Sequence, residues 1–361
     1  MTSMMAPEQP FEKKKAVLPP EVLAELDSIF TMAPKDEFAE IGRCRTTQKD
    51  ITICYNTFGD PRNPCMLLIM GLSSPGTYWD TRFCRYIADK GFYVVRYDNR
   101  DLGLSTHFDG YPAPNILRLA LPAWASLGEV PLAYTLDDMA DDAVGLLRTL
   151  NIKKAHIVGC SMGGMIAQLV ALHHPEVVAS LCLHSTSTGA PWPKPGMLIN
   201  MLDGPESPDD VQCVLDYRVR LYKAMAGDMK FYEHEFRIGM WWDVVRSNYH
   251  DGAGRHLAAI VRSPDRSELL RTQLNRVEGP QRVTGTPSSL LPPTASHIPV
   301  VVLHGGRDPT IPVRHARHLA ECINGSKLVI FPHMGHYFSK DMFRLLADEM
   351  VLNARGVAVT D

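Results

Sequence analysis

The chain has 361 residues, 45% of them hydrophobic and 21% charged, with a formal net charge of −3. This is the composition of an ordinary globular protein long enough to bury a full core, and it excludes a disordered chain. Apart from the short Lys13-Lys14-Lys15 run there is no dense basic stripe, so no nucleic-acid partner is expected.

Residues 1–45 read as an N-terminal extension, a Pro- and Lys-containing stretch followed by a short amphipathic helix over 21–30 with Val22, Leu23, Leu26 and Ile29 on one face. It is expected to pack on the domain surface and is assigned no chemistry. The N-terminus lacks the apolar region of a signal peptide, and no stretch reaches the roughly 20 uninterrupted apolar residues that span a bilayer. The eight cysteines (Cys44, Cys54, Cys65, Cys84, Cys160, Cys182, Cys213, Cys322) show no Cys-Xaa-Xaa-Cys spacing, which fits a reducing compartment. A soluble, cytoplasmic protein is expected.

From residue 51 onward, apolar runs of strand length alternate with helical patterns. Strands are predicted over residues 51–55, 65–70, 92–97, 155–158, 178–183, 299–303 and 327–331. Such alternation implies an α/β fold with a mainly parallel sheet covered by helices on both faces. Ligands then collect beyond the carboxyl ends of the strands, in the loops after Met70, Tyr97, Val158, Leu303 and Phe331. Two stretches break the rhythm. Residues 111–134 are apolar but punctuated by prolines, too interrupted to span a membrane, and are expected to join the lid or the pocket rim. Residues 188–293 contain helical patterns rich in Met and aromatic side chains, among them Trp192, Met197, Tyr217, Tyr222, Phe236 and Met240. They are expected to form a mostly helical lid inserted into a core of residues 46–187 and 294–361, with most of these apolar residues forming the lid's own core.

The chemistry concentrates at three strand ends. Gly159-Cys160-Ser161-Met162-Gly163 follows the run Ala155-His156-Ile157-Val158 and precedes a helical face of Ile166, Leu169, Val170 and Leu172, which ends at His174-Pro175. A serine on so sharp a strand-to-helix turn has its hydroxyl exposed beside the free N–H groups of a helix start. A serine hydroxyl is a poor nucleophile at neutral pH and needs a base, and the base needs an orienting acid. Leu303-His304-Gly305-Gly306-Arg307-Asp308-Pro309 places a carboxylate after the second-last strand, and Phe331-Pro332-His333-Met334-Gly335-His336 follows the last. Ser161, Asp308 and His336 therefore arise in the order of a nucleophile, an acid and a base, each beyond a separate strand. His333 competes with His336; Gly335 lets the loop swing His336 toward the strand ends, whereas His333 lies close to the strand exit. His304 is either a support for the site or a buried polar residue. Taken singly, Ser161 could sit in a packing turn and Asp308 in an ordinary Asp turn.

An oxyanion hole needs two N–H donors. One comes from the backbone of Met162, and the other is assigned to Leu72 in the loop Met70-Gly71-Leu72-Ser73-Ser74. In the loop Tyr97-Asp98-Asn99-Arg100-Asp101-Leu102-Gly103-Leu104-Ser105, Asp98, Arg100 and Asp101 read as a network shaping the site rather than as substrate ligands. His173-His174 lack a metal-site spacing, and no Gly-rich loop is followed by Lys-Ser/Thr. Neither a metal nor an organic cofactor is expected.

With these residues in place, the stretch from Cys44 to Val351 resembles the α/β-hydrolase superfamily. Asp98 to Ser105, Gly159-Cys160-Ser161-Met162-Gly163-Gly164 and His184-Ser185-Thr186-Ser187-Thr188 are most similar to the branch that includes aclacinomycin methylesterase, which removes a methyl ester from a polycyclic polyketide. The N-terminal extension and the 111–134 insertion depart from that branch. The resemblance implies an α/β-hydrolase fold and, with Ser rather than Asp at the elbow, ester rather than haloalkane or epoxide chemistry. A serine esterase acting through an acyl-enzyme on a small apolar substrate is expected, either a methyl ester or a lipid ester such as a lysophospholipid or monoacylglycerol; the latter would allow transient contact with a membrane surface. Two alternatives stand beside it. One is an acyltransferase using the same triad, since Ser161-Met162-Gly163-Gly164-Met165 is similar to the homoserine acyltransferase elbow; the other is a hydrolase-fold ligand-binding protein.

Overall fold

The computed structural model describes residues 24–25, 33–113, 131–191, 193–197, 200, 204–207, 210–247, 252–274 and 298–356. Eight strands form one sheet: β1 (Glu37–Arg43), β2 (Asp50–Phe58), β3 (Cys65–Ile69), β4 (Tyr93–Tyr97), β5 (Ala155–Cys160), β6 (Val178–His184), β7 (Val300–Gly305) and β8 (Lys327–Phe331). Their spatial order is β1-β2-β4-β3-β5-β6-β7-β8. The β1–β2 and β2–β4 pairs are antiparallel and all the others are parallel.

The interior strands β3 and β7 are buried at every position, which is why they read as unbroken apolar runs rather than alternating ones. One face of the sheet is covered by α2 (Leu136–Thr149) and α3 (Met162–His173), whose Leu147, Ile166 and Val170 pack with Leu67, Ile157 and Leu181. The other is covered by α1 (Thr81–Asp89) and α8 (Phe343–Ala354), whose Phe83, Ile87, Leu346 and Met350 pack with Met66, Leu68 and Val94. Thr135 caps α2, its hydroxyl accepting from Asp138 N while the Asp138 carboxylate accepts from Thr135 N, which satisfies two of the amide groups left free at a helix start. Between β6 and β7 lie the helices α4 (Val211–Met225), α5 (Glu233–Ser247) and α6 (Ala253–Arg262). Helix α7 (Arg314–Cys322) connects β7 to β8.

The first 45 residues are not wholly an extension, because Glu37–Arg43 belong to the sheet as β1. Only Ala39 is buried in that strand, and Phe38 is 54% exposed. An edge strand held by main-chain pairing carries little apolar alternation for a sequence reading to detect. The helix expected over 21–30 lies outside the described residues except for Ala24 and Glu25, which are helical. Residues 114–130 of the apolar insertion and 275–293 of the inserted segment also lie outside them.

Candidate active site

Strand β5 ends at Cys160 and α3 begins at Met162, so the direction of the chain reverses at Ser161. Ser161 has φ 57° and ψ −122°, a conformation that costs a non-glycine residue about 1–3 kcal/mol. The surroundings hold it there: Ser161 N donates to His184 O at 2.9 Å, and Thr186 Oγ1 donates to Ser161 O at 2.8 Å. A side chain is impossible at Gly163, where a Cβ would stand 2.1 Å from Ile69 O. The start of α3 therefore rests directly on the end of β3.

Ser161 Oγ lies 3.0 Å from His336 Nε2, and His336 Nδ1 lies 2.7 Å from Asp308 Oδ2. The other carboxylate oxygen accepts from Thr310 N and Ile311 N, each at 2.8 Å. Burial pushes the Asp308 pKa up, but the charge and hydrogen bond of His336, with His304 and Ile311 N, outweigh it and leave the pKa below its ordinary value. An ionised Asp308 can only accept, so Nδ1 of His336 carries the proton and Nε2 is left to receive the serine proton.

His333 is exposed and faces Asp228, 3.2 Å away. His304 is fully buried, with Nε2 2.8 Å from Ile311 O and 3.5 Å from Asp308. His184, which sequence reasoning gave no role, is buried beneath the site, with Nδ1 3.2 Å from Cys160 Sγ. Burial, together with His304 and His336, depresses its pKa to about 3, so it is neutral at physiological pH.

Ser161, His336, Leu72 and Met162 all line a cavity of about 820 Å³. Gly71 brings the Leu72 loop close: a Cβ there would sit 2.9 Å from the Ser161 Cβ. Tyr222 and Phe236 of the inserted helices pack together in its wall with ring centroids 4.7 Å apart, and Tyr337, from the loop after β8, lines the cavity beside them. The same wall holds polar groups that sequence reasoning missed: Arg218, and Asp243, which accepts a hydrogen bond from Thr77. The usable signal was helical spacing, since Arg218, Tyr222 and Met225 share one face of α4.

Asp98, Arg100 and Asp101 lie outside the cavity lining and form buried ion pairs. Arg246 Nη1 meets Asp98 at 2.9 Å, Arg100 grips Asp142 through Nε and Nη2 at 2.7 Å each, and Arg255 Nε meets Asp101 at 2.7 Å. Arg246 and Arg255 belong to α5 and α6, so this loop anchors the inserted helices. Among the described residues no group of three or more His, Cys, Asp or Glu is placed to hold a metal ion, and no helix is long and apolar enough to cross a membrane.

A family model described as the alpha/beta hydrolase fold matches residues 64–341. The chain is 26% identical over 336 residues to the rhodomycin D methylesterase of Streptomyces sp. (strain C5), covering 87% of this chain and 98% of that protein. The rhodomycin D methylesterase of Streptomyces peucetius matches at the same 26% identity and the same coverage. Among solved structures, an esterase from Thermogutta terrifontis aligns with a TM-score of 0.62 at 18% identity, covering 89% of this chain and 98% of that one. A meta-cleavage product hydrolase from Pseudomonas fluorescens aligns at 0.61 and 18%, covering 90% and 99%. At that identity the two structures speak to the fold alone.

Proposed function

This chain belongs to the α/β-hydrolase fold family, and from that premise we propose that it is a serine esterase that cleaves a carboxylic ester through an acyl-enzyme. The observation that carries the reading is the continuous chain Ser161–His336–Asp308, open at its serine end to the cavity. His336 Nε2 takes the Ser161 proton as Oγ attacks the ester carbonyl, and Asp308 stabilises the imidazolium that results. The backbone N–H groups of Leu72 and Met162 receive the developing oxyanion. His336 then protonates the departing alcohol. Water, deprotonated by the same nitrogen, releases the acid and restores Ser161.

The helices between β6 and β7 act as a lid over the cavity. Its volume and aromatic walls suit an apolar, ring-bearing acid of drug-like size. The two relatives named as methylesterases support a methyl ester, in which the small alcohol leaves and the acid portion fills the cavity. Eight free cysteines, seven of them buried, support a reducing, cytoplasmic setting.

Turnover of a panel of methyl, short-acyl, long-acyl and lysophospholipid esters tests the reading, together with fluorophosphonate labelling. Ser161→Ala should lower kcat by roughly 10⁴-fold or more and abolish labelling. Unchanged turnover, or labelling retained in the variant, would reject the proposal. A preference for acetyl esters over bulky aromatic methyl esters would reject the large-acid substrate, and products acylated on an added alcohol in place of free acid would indicate acyl transfer.

A further inference from the structure

Helix α4 touches two of the loops that carry the proposed machinery, that of Leu72 and that of His336. At its middle, Arg218 donates from Nη1 to Ser73 O and from Nη2 to Ser73 Oγ, both at 3.0 Å. One turn later Tyr222 OH lies 2.8 Å from Ser74 Oγ, which in turn donates to Leu72 O at 3.2 Å. At the end of the helix Met225 O accepts from His336 N at 2.7 Å and from Tyr337 N at 3.2 Å, while Ala226 O accepts from Gly335 N at 3.2 Å. From Arg218 to Met225 is about two helical turns, roughly 10 Å of rigid rod.

At the first of these loops the contacts fall on strained backbone. Ser73 has φ 55°, left-handed for a non-glycine residue, and such a conformation persists only when its surroundings over-determine it. Arg218, itself only 8% exposed, grips both the carbonyl and the hydroxyl of that residue. A planar guanidinium presents paired donors in a fixed fork, which sets direction as well as distance. Ser73 follows Leu72 directly, so a rotation at Ser73 turns the segment bearing the Leu72 N–H. At the other end, the His336 amide hangs from α4 by the 2.7 Å bond to Met225 O.

We propose that α4 is a strut that sets the spacing between the oxyanion loop and His336, with Arg218 as the positioning residue through which it acts. The inference rests on the esterase reading and extends it. Displacement of α4 by a badly fitting substrate would misplace the Leu72 N–H and the His336 ring together, so selection would be expressed in kcat as well as in binding.

The test compares wild type with Arg218→Met, which keeps an apolar stem, and Tyr222→Phe, which removes one hydroxyl. The substrate is p-nitrophenyl acetate, chosen as too small to depend on the far walls. Active enzyme is counted by fluorophosphonate titration, so misfolded protein drops out of the comparison. Arg218→Met should lower kcat about 10- to 100-fold, less than the loss of a whole oxyanion donor, with KM within about threefold. The inhibition constant of a trifluoromethyl ketone, which forms the oxyanion, should rise by the same factor as kcat/KM falls. Tyr222→Phe should show a smaller change of the same kind, and added methylguanidinium should restore part of the Arg218→Met activity.

An unchanged kcat and ketone affinity per active site in both variants would overturn the strut. So would a rise in KM for bulky esters alone, which would make Arg218 a substrate contact. A wild type that neither turns over esters nor is labelled would overturn the esterase reading itself, and the strut with it.

Discussion

Asp308 and Asp243 are both buried carboxylates of the site region, and their surroundings move them in opposite directions. At Asp308 the cost of burial is outweighed by His336 and its hydrogen bond, so the group stays ionised. At Asp243 burial dominates: Thr77, Arg246 and Arg218 act against it, Asp98 acts with it, and the pKa is pushed up to about 7. Its ordinary value is 3.8, so between these values the folded protein holds a proton that the unfolded chain has released. The sign follows from linkage: this group favours folding at low pH, and its contribution is lost as pH rises toward about 7. Asp243→Asn removes the titration. Its unfolding free energy, measured by chemical denaturation, should gain on that of wild type between about pH 5 and about pH 8. A difference that is the same at both ends would show that Asp243 ionises without penalty.

The loop after β4 and helix α2 are joined by a charge pair taken out of water. Arg100 and Asp142 are 1% and 5% exposed at their side chains. The guanidinium also reaches Asp138 O at 3.1 Å and lies 5.2 Å from the Tyr134 ring centroid. Burial raises the Asp142 pKa while Arg100 acts to lower it, and burial prevails. A pair of this kind is expensive to break and cheap to replace. Arg100→Met should cost about 3–5 kcal/mol, because it strands Asp142 in the interior. The double variant Arg100→Met/Asp142→Leu should recover most of that loss. Urea unfolding of the two single variants and the double closes the cycle; additive losses would show that the two side chains do not depend on each other. The same logic explains why this loop contributes no group to the cavity. Its charges are consumed in holding α2, α5 and α6 against the sheet.

Across the whole molecule, a sheet covered on both faces leaves its thiols little access to solvent. All eight cysteines are free, and Cys213 alone escapes burial. Iodoacetamide followed by mass mapping should modify Cys213 first in the native protein and the other seven only after unfolding. Early modification of Cys160 or Cys182 would contradict the packing around β5 and β6. The strand and helix alternation, the elbow at Ser161 and the chain order Ser161, Asp308, His336 were all legible in the sequence, because periodicity, turn sterics and strand ends are set by neighbours a few residues apart. That is also why β1, with one buried residue and no alternation, left no trace. Which groups meet was a tertiary matter. Ser161 and His336 stand 175 positions apart, and Arg218 and Ser73 stand 145 apart. His333 and His336 differ by three positions, yet one faces solvent and the other the cavity. The sequence by itself determined the kind of fold and the residue types at its strand ends. Only the tertiary structure decided the cavity, its polar wall and the reach of α4, because sheet order and helix packing bring together segments that no local rule relates.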